Sequence, residues 1–133
     1  MKGGYYLNPS VSNILVCVTQ QKTCEKLIKK ALEFSNDKDS IFIIHVAKNN
    51  WSFLDNEKEG EALEYLFSIA KSVGANLTVL RSDKIVDTIV VYALENKIDL
   101  LVLGDSKGDH SENHFYKSLK NNLNNVEIHV VAN

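Results

Sequence analysis

The amino-acid sequence predicts an α/β domain, a three-layer α/β/α sandwich built around one five-stranded parallel sheet. Apolar runs of strand length alternate along the chain with segments whose apolar residues recur at helical spacing. Residues 99–104 place four consecutive apolar side chains between Asp99 and Gly104, which is typical of a parallel strand buried on both faces. No internal repeat or low-complexity linker divides the 133 residues. We therefore expect one domain over residues 13–133, preceded by a flexible segment over residues 1–12.

The first strand is predicted over residues 13–18, where an uninterrupted apolar run indicates a central place in the sheet. The helix that follows is predicted from apolar residues at helical spacing between Cys24 and Leu32, with lysines on the opposite face. We expect Thr23 to be its N-cap. Residues 40–47 are rich in β-branched and aromatic side chains and therefore predict a second, interior strand.

A polar loop over residues 48–56 follows the second strand and carries Trp51 and Phe53. We expect these two rings to pack against the top of the neighbouring helix, and covering a ligand is the alternative. That helix is predicted over residues 57–73. It should end at Gly74, because glycine readily adopts the left-handed conformation that closes many helices.

The third strand is predicted over residues 76–81 and is short. A helix with Ser82 or Asp83 as its N-cap should follow it, with Lys97 in the last turn. The apolar run over residues 99–104 then supplies the fourth strand.

A fourth helix is predicted over residues 113–122, and the last strand over residues 126–131. In this strand apolar residues alternate with Glu127 and His129, which indicates an edge strand with one wetter face. Because an edge strand exposes unpaired N–H and C=O groups, we expect a homodimer through this C-terminal strand.

Charge and composition argue against several classes of partner. The chain has 15 basic and 17 acidic residues for a net charge of -2, and they are interspersed, so no basic face favours nucleic acid or an anionic membrane. No apolar run reaches the about 18 residues needed to span a bilayer. Residues 1–12 lack the apolar centre of a secretory signal, and we therefore expect a cytoplasmic protein.

Cysteine and histidine provide no catalytic constellation that spacing alone can define. Cys17 is expected to be a core residue and Cys24 to lie near a helix start, so no disulfide framework is indicated. His110 and His114 are four residues apart, but without a third ligand a solvated loop is favoured over a zinc site. His45 is expected to be a hydrogen-bonded strand residue rather than a general base.

Three segments together resemble the universal stress protein (UspA) family over nearly the whole chain: Ile14-Leu15-Val16-Cys17-Val18, Ile44-His45-Val46 and Asp99-Leu100-Leu101-Val102-Leu103-Gly104. The first of these, with Lys26-Leu27-Ile28-Lys29-Lys30-Ala31 and Ile128-His129-Val130-Val131, resembles more narrowly the universal-stress module of the Kdp potassium-sensing histidine kinases. The resemblance implies the strand order 3-2-1-4-5 and, as in many relatives, ATP bound at the ends of strands one and four. It also implies a protein partner in signalling or potassium transport.

The family's nucleotide signature is Gly, two residues, Gly, nine residues, Gly, then Ser or Thr, and it can be aligned from Gly104. Gly104 and Ser118 match, whereas Lys107 and Lys117 stand at the middle and last glycine positions. Glycine serves there because a Cβ obstructs the close approach of a phosphate to backbone N–H groups. Gly108 is displaced by one residue, so the resemblance implies a weakened site.

The sequence thus predicts a degenerate site for ATP or another adenine nucleotide. Its candidate residues are Val18, Thr19, Gln20, Val46, Gly104, Asp105, Ser106, Lys107, Gly108 and Ser118. Thr19 stands where family members usually carry an aspartate. Positive charge at Lys107 and Lys117 is largely offset by Asp105, Asp109 and Glu112, since pairwise terms near a surface are of order 1–4 kcal/mol.

We expect a non-catalytic regulatory module of stress or potassium signalling. One alternative is a receptor for cyclic di-AMP, as some Kdp modules are, but only Phe42 of the corresponding Phe-Thr-Ala-x-Tyr strand is retained. A second alternative is a slow ATPase, for which no base that would orient water can be named. A third is an interaction protein with an empty cleft.

Overall fold

The computed structural model of the protein describes residues 12–19, 21–36, 40–104 and 110–132. Strands and helices alternate along these residues. The strands are β1 (Asn13–Cys17), β2 (Ser40–Ala47), β3 (Asn76–Arg81), β4 (Leu100–Gly104) and β5 (Glu127–Val131). The helices are α1 (Gln21–Phe34), α2 (Glu59–Val73), α3 (Ile85–Glu95) and α4 (His110–Asn122), with a short 3₁₀ turn over Phe53–Asp55.

The strands form one parallel sheet in the order β3-β2-β1-β4-β5, which confirms the expected fold class and strand order. The chain moves outward from β1 through β2 to β3 and then returns to the other side of β1 as β4. In open α/β sheets, a crevice forms beyond the carboxyl ends of the strands where this reversal occurs. In this sheet the reversal lies between β1 and β4.

Helices cover both faces of the sheet, so the central strands are buried on both sides. Under α1 and α2 the core includes Val16, Ile28, Ile43, Leu66 and Val102. Under α3 and α4 it includes Leu15, Ile44, Ile89, Leu101 and Leu119. Successive residues of β1 alternate between these two clusters, as the period of a strand requires. This arrangement confirms that the continuous apolar runs mark central strands.

Some helix boundaries differ from those expected. The prediction of Thr23 as N-cap was wrong, because α1 begins at Gln21 and Thr23 lies in its first turn. The N-cap of α3 is Lys84 rather than Ser82 or Asp83. The Ser82 hydroxyl oxygen instead accepts the N–H of Lys84 at 3.1 Å, one residue before the helix. Lys97 lies beyond the end of α3 with a left-handed φ of 52°.

Gly74 closes α2 as predicted. Its φ is 71°, and the next residue, Ala75, donates its N–H to the carbonyl of Ala70 at 2.9 Å, which satisfies a carbonyl of the last turn. The C-terminal strand, β5, lies at one edge of the sheet, as its alternating pattern indicated. Within the described residues, no helix combines the length and apolar character that crossing a membrane requires.

Candidate functional site

A cleft of about 560 Å³ opens beyond the carboxyl ends of β1 and β2. It is lined by Thr19, His45, Ala47, Asn50, Trp51, Ser52, Asn56 and Glu57. Thr19 follows β1, His45 and Ala47 belong to β2, and the remaining residues come from the loop that joins β2 to α2. Clefts of this volume suit small organic ligands.

His45 is buried at the wall of this cleft, with 3% of its surface exposed. Its Nε2 accepts the backbone N–H of Leu54 at 2.9 Å, so the ring proton lies on Nδ1, which donates to the carbonyl of Val18 at 2.7 Å. Burial lowers the pKa of the imidazole below its ordinary value, which favours this neutral form. His45 is thus a hydrogen-bonded strand residue, as expected, and it ties the end of β1 to the loop after β2.

The loop is further fixed by Leu54, whose side chain is 1% exposed and packs in the core under α1 and α2. Its φ of 58° is left-handed, a conformation that costs about 1–2 kcal/mol for a residue with a Cβ. The buried side chain and the bond from its N–H to His45 offset this cost. The loop therefore has one stable path across the end of the sheet.

Arg81, the last residue of β3, holds the same loop from the other side. Its guanidinium donates to the carbonyls of Lys48 at 3.2 Å and Trp51 at 2.6 Å. It also lies 3.9 Å from the ring centroid of Phe53 and forms an ion pair with Glu59 at 3.2 Å. Glu59 in turn accepts the N–H of Phe53 at 3.1 Å. One side chain therefore connects β3, the loop and the first turn of α2.

The loop's first turn is held by backbone and carboxylate contacts. The N–H of Trp51 donates to the carbonyl of Lys48 at 3.1 Å, which closes a tight turn. Asn49 donates its backbone N–H and its side-chain amide to the Asp83 carboxylate, at 3.3 and 3.1 Å. Asp83 therefore fixes this turn, where the sequence predicted a helix cap.

The two aromatic side chains of the loop have different surroundings. Phe53 packs against Arg81 and His45, with 5.7 Å between the Phe53 and His45 ring centroids. Trp51 is 55% exposed, lines the cleft and has the Lys48 Nζ 4.8 Å from its ring centroid. The expectation that both rings pack on the helix was therefore wrong for Trp51, because the tight turn directs it to the cleft.

Most of the described residues that line the cleft carry a hydrogen-bonding group in the side chain. Asn50, Ser52, Asn56 and Thr19 offer amides and hydroxyls, and the charged lining residue is Glu57. Of the described residues that line the cleft, none is a lysine or an arginine. This end of the cleft therefore suits neutral donors and acceptors rather than a polyphosphate.

The structure places the candidate residues of β1 and β2 as follows. Thr19 lines the cleft. Val18 is buried, with its N–H donating to the Ile44 carbonyl at 3.0 Å and its own carbonyl accepting from His45. Val46 faces the core under α3 and α4, because alternation along β2 sends it to the face opposite His45. Of these three residues, Thr19 is the one that lines the cleft.

The remaining candidates are associated with β4 and α4. Gly104 ends β4, where a Cβ would lie 3.6 Å from the Leu27 side chain. Ser118 is half-buried on α4, and its carbonyl accepts the side-chain amide of Asn122 at 2.7 Å. Gln20, Asp105, Ser106, Lys107 and Gly108 lie outside the described residues, as do Asp109 and the side chains of His110, Glu112 and His114.

Metal and thiol chemistry receive little support. Among the described residues there is no group of three or more His, Cys, Asp or Glu side chains that could hold a metal ion. Cys17 and Cys24 are free and buried, and burial raises the pKa of each thiol. Both therefore remain in the thiol form, which is a poor nucleophile.

Sequence reasoning missed the loop residues Asn50, Ser52, Asn56 and Glu57, and the contribution of Arg81. A signal for them existed. In a parallel sheet the loop after the second strand opens on the same edge as the loop after the fourth. The polar run after β2 could therefore have been included with the candidates after β4.

Comparison with known proteins gives matches at the level of structure. The sequence matches no protein-family model and no curated protein. The universal stress protein UspA from Lactobacillus plantarum is similar, with a TM-score of 0.62 and 17% identity over 94% of this chain and 99% of that one. A universal stress protein solved in complex with cAMP gives a TM-score of 0.58 at 17% identity, covering 91% of this chain and 94% of that one.

A bacterial class III photolyase from Agrobacterium tumefaciens also matches, with a TM-score of 0.69 and 13% identity. The match covers 96% of this chain but 27% of the photolyase. At these identities the matches establish the fold: the chain has the Rossmann-like α/β fold of the universal stress proteins.

Proposed function

We propose that the protein is a non-catalytic regulatory module that binds an adenine nucleotide weakly in the cleft beyond β1 and β2. The observation that carries this proposal is the position of the cleft, since ligands of open α/β sheets bind beyond the carboxyl ends of the strands, and the cleft opens at that edge beyond β1 and β2. A universal stress protein of the same fold that was solved with cAMP supports the choice of an adenine nucleotide.

The hydrogen bonds of His45 support a binding role. Both ring nitrogens of His45 are engaged, by Val18 and Leu54, so this imidazole does not take a proton from water without breaking a bond to the loop. Glu57, the carboxylate among the described lining residues, is exposed to solvent.

Weak phosphate binding follows from the residues after β4. Lys107 and Lys117 replace two of the glycines that let phosphate approach backbone N–H groups, and Asp105, Asp109 and Glu112 oppose the lysines in charge. We place the phosphates beside Gly104 and Ser118, with Ser106 and Gly108 as further donors. Affinity in the micromolar range or weaker is expected.

We further propose that ligand occupancy biases contacts with other proteins in the cytoplasm. A second copy of this chain would pair through β5, whose outer edge is open in the sheet order. The resemblance to the Kdp module makes a component of potassium or stress signalling the proposed partner. Pairing of two copies is tested by measuring the mass of the protein in solution with and without nucleotide.

Calorimetric titration of the full chain with ATP, AMP, cAMP and cyclic di-AMP tests the ligand proposal. We expect the mononucleotides to bind, and the Ser118→Ala substitution should weaken the binding of ATP. Binding of cyclic di-AMP alone, shown also by a shift in the melting curve, would identify the Kdp-type receptor instead. Phosphate release from ATP above the Ser118→Ala control would identify an ATPase and contradict the non-catalytic role.

A further inference from the structure

Trp51 is the single tryptophan of the chain, and it is 55% exposed at the wall of the cleft. A large aromatic side chain exposed at the wall of a cleft is a common feature of binding sites. Phe67 on α2 offers a useful contrast, because it is 57% exposed but does not line the cleft.

The backbone of Trp51 is fixed at both ends. Its N–H bonds to Lys48 at 3.1 Å, and its carbonyl accepts from Arg81 at 2.6 Å. The Arg81 guanidinium is itself held by the Phe53 ring and the Glu59 carboxylate. The backbone that carries the indole is therefore held in place, and ligand binding does not have to order this turn.

The chemistry around the indole suits one part of a nucleotide. A flat aromatic face stacks on a purine base, and the amide of Asn50 can bond its edge. The Glu57 carboxylate accepts hydrogen bonds from vicinal hydroxyls, and it repels phosphate. Together these groups match the base and the ribose better than they match a phosphate chain.

We infer that Trp51 stacks on the base of the bound ligand, that recognition is directed at the nucleoside, and that Arg81 is the positioning residue for the indole. This inference rests on the proposed adenine-nucleotide function and specifies how that ligand is recognised. It predicts that adenosine, AMP and ATP bind with affinities within about fivefold of one another, because the phosphates add little.

The first test uses the fluorescence of Trp51, which reports stacking without a label. Titration with adenosine should quench this emission, and calorimetry on the same samples gives the affinity independently. Trp51→Ala should weaken adenosine binding about tenfold or more, and Trp51→Phe should recover most of it. Phe67→Ala, the matched loss of an exposed ring outside the cleft, should leave the affinity unchanged.

A double-mutant cycle tests the role of Arg81. Arg81→Gln should weaken adenosine binding about fivefold in the wild-type background but have no further effect in Trp51→Ala. Equal weakening in both backgrounds would show that Arg81 supports the cleft in general and would overturn its role as positioning residue for the indole.

The outcomes separate this inference from the function on which it rests. Adenine ligands that bind to the wild type and to Trp51→Ala with equal affinity, without quenching, would overturn the stacking inference and leave the proposed function intact. ATP binding more than tenfold tighter than adenosine would overturn nucleoside-directed recognition. Failure of all adenine ligands to bind the wild type would reject both.

Discussion

The centre of the sheet and the loop after β2 are held together in different ways. At the centre, Leu15 and Ile43 are fully buried among many apolar neighbours on two faces of the sheet. The loop depends on a few directional bonds to His45, Arg81 and Asp83. Burial of apolar area determines the global stability of the fold, whereas the polar bonds determine the shape of one wall of the cleft. Substitutions in the two regions should therefore affect different measurements.

The largest effect is expected at the centre of the sheet. Ile43→Ala should lower the free energy of unfolding by about 2–5 kcal/mol, because it removes buried methyl and methylene groups and leaves a cavity between β2 and the helices. Urea denaturation measures this change. Val130→Ala, at a site on β5 that is 38% exposed, is the control and should cost far less. Equal costs at both sites would contradict the claim that burial of apolar area determines the global stability of the fold.

His45 links the two regions and makes stability depend on pH. Burial lowers the pKa of the folded imidazole, so below the ordinary pKa of about 6.5 the unfolded chain binds a proton that the folded chain resists. The free energy of unfolding should therefore fall as the pH is lowered from 7.5 to 5.5. Urea denaturation at each pH measures the slope, and His45→Asn, which cannot titrate, should flatten it. An unchanged slope in this variant would assign the dependence to other groups.

Removing the imidazole entirely should have an intermediate effect. His45→Ala leaves the buried N–H of Leu54 without its acceptor, which costs about 1–3 kcal/mol of unfolding free energy. Thermal unfolding at pH 7.5 measures the loss. A cost near zero would indicate that the loop finds another path across the end of β2.

Arg81 should affect the loop more than the whole fold. Its ion pair with Glu59 is partly exposed, so we expect Arg81→Gln to lower the global unfolding free energy by about 1 kcal/mol or less. The amides of Trp51 and Leu54 should nevertheless exchange faster with solvent, because the loop opens locally. Hydrogen exchange measured residue by residue checks this, with the amides of β1 as the internal reference. Uniform acceleration in both regions would mean that the loop and the sheet open as one unit.

The smallest effect is expected at Asn49. Asn49→Ala removes one exposed side-chain bond to Asp83 and keeps the backbone bond, so it should cost about 0.5 kcal/mol. Differential scanning calorimetry of the variant and the wild type measures it. A loss as large as that of His45→Ala would show that the first turn, rather than Leu54, fixes the loop.

The sequence predicted the sheet well because its apolar runs reflect burial directly. The continuous apolar segment of β4 and the alternation in β5 determine which strands are central and which is an edge, and Gly74 was the residue best suited to close α2. The strand order came from a family resemblance. Helix starts were predicted less well, since Asp83 bonds to a loop that is distant in sequence rather than to its own helix.

The cleft was harder to predict for a related reason. Its wall is formed by Trp51 because Arg81 bonds to Trp51 across 30 residues and His45 bonds to Leu54 across 9 residues. Single contacts of this kind leave no periodic pattern in the sequence. Thr19 was identified because it directly follows a recognisable strand. Local pattern therefore predicted one residue of the described lining, Thr19, and tertiary contacts determine the rest.

The burial of both native thiols has a practical consequence. Cys17 and Cys24 lie inside the core, so maleimide reagents applied to the folded protein should leave them unmodified. A cysteine introduced on the exposed loop, as in Ser52→Cys, would then be the preferred attachment point for a spin label or dye. The local opening of the loop after β2 that is expected in Arg81→Gln could be followed spectroscopically in a chain that keeps its native cysteines.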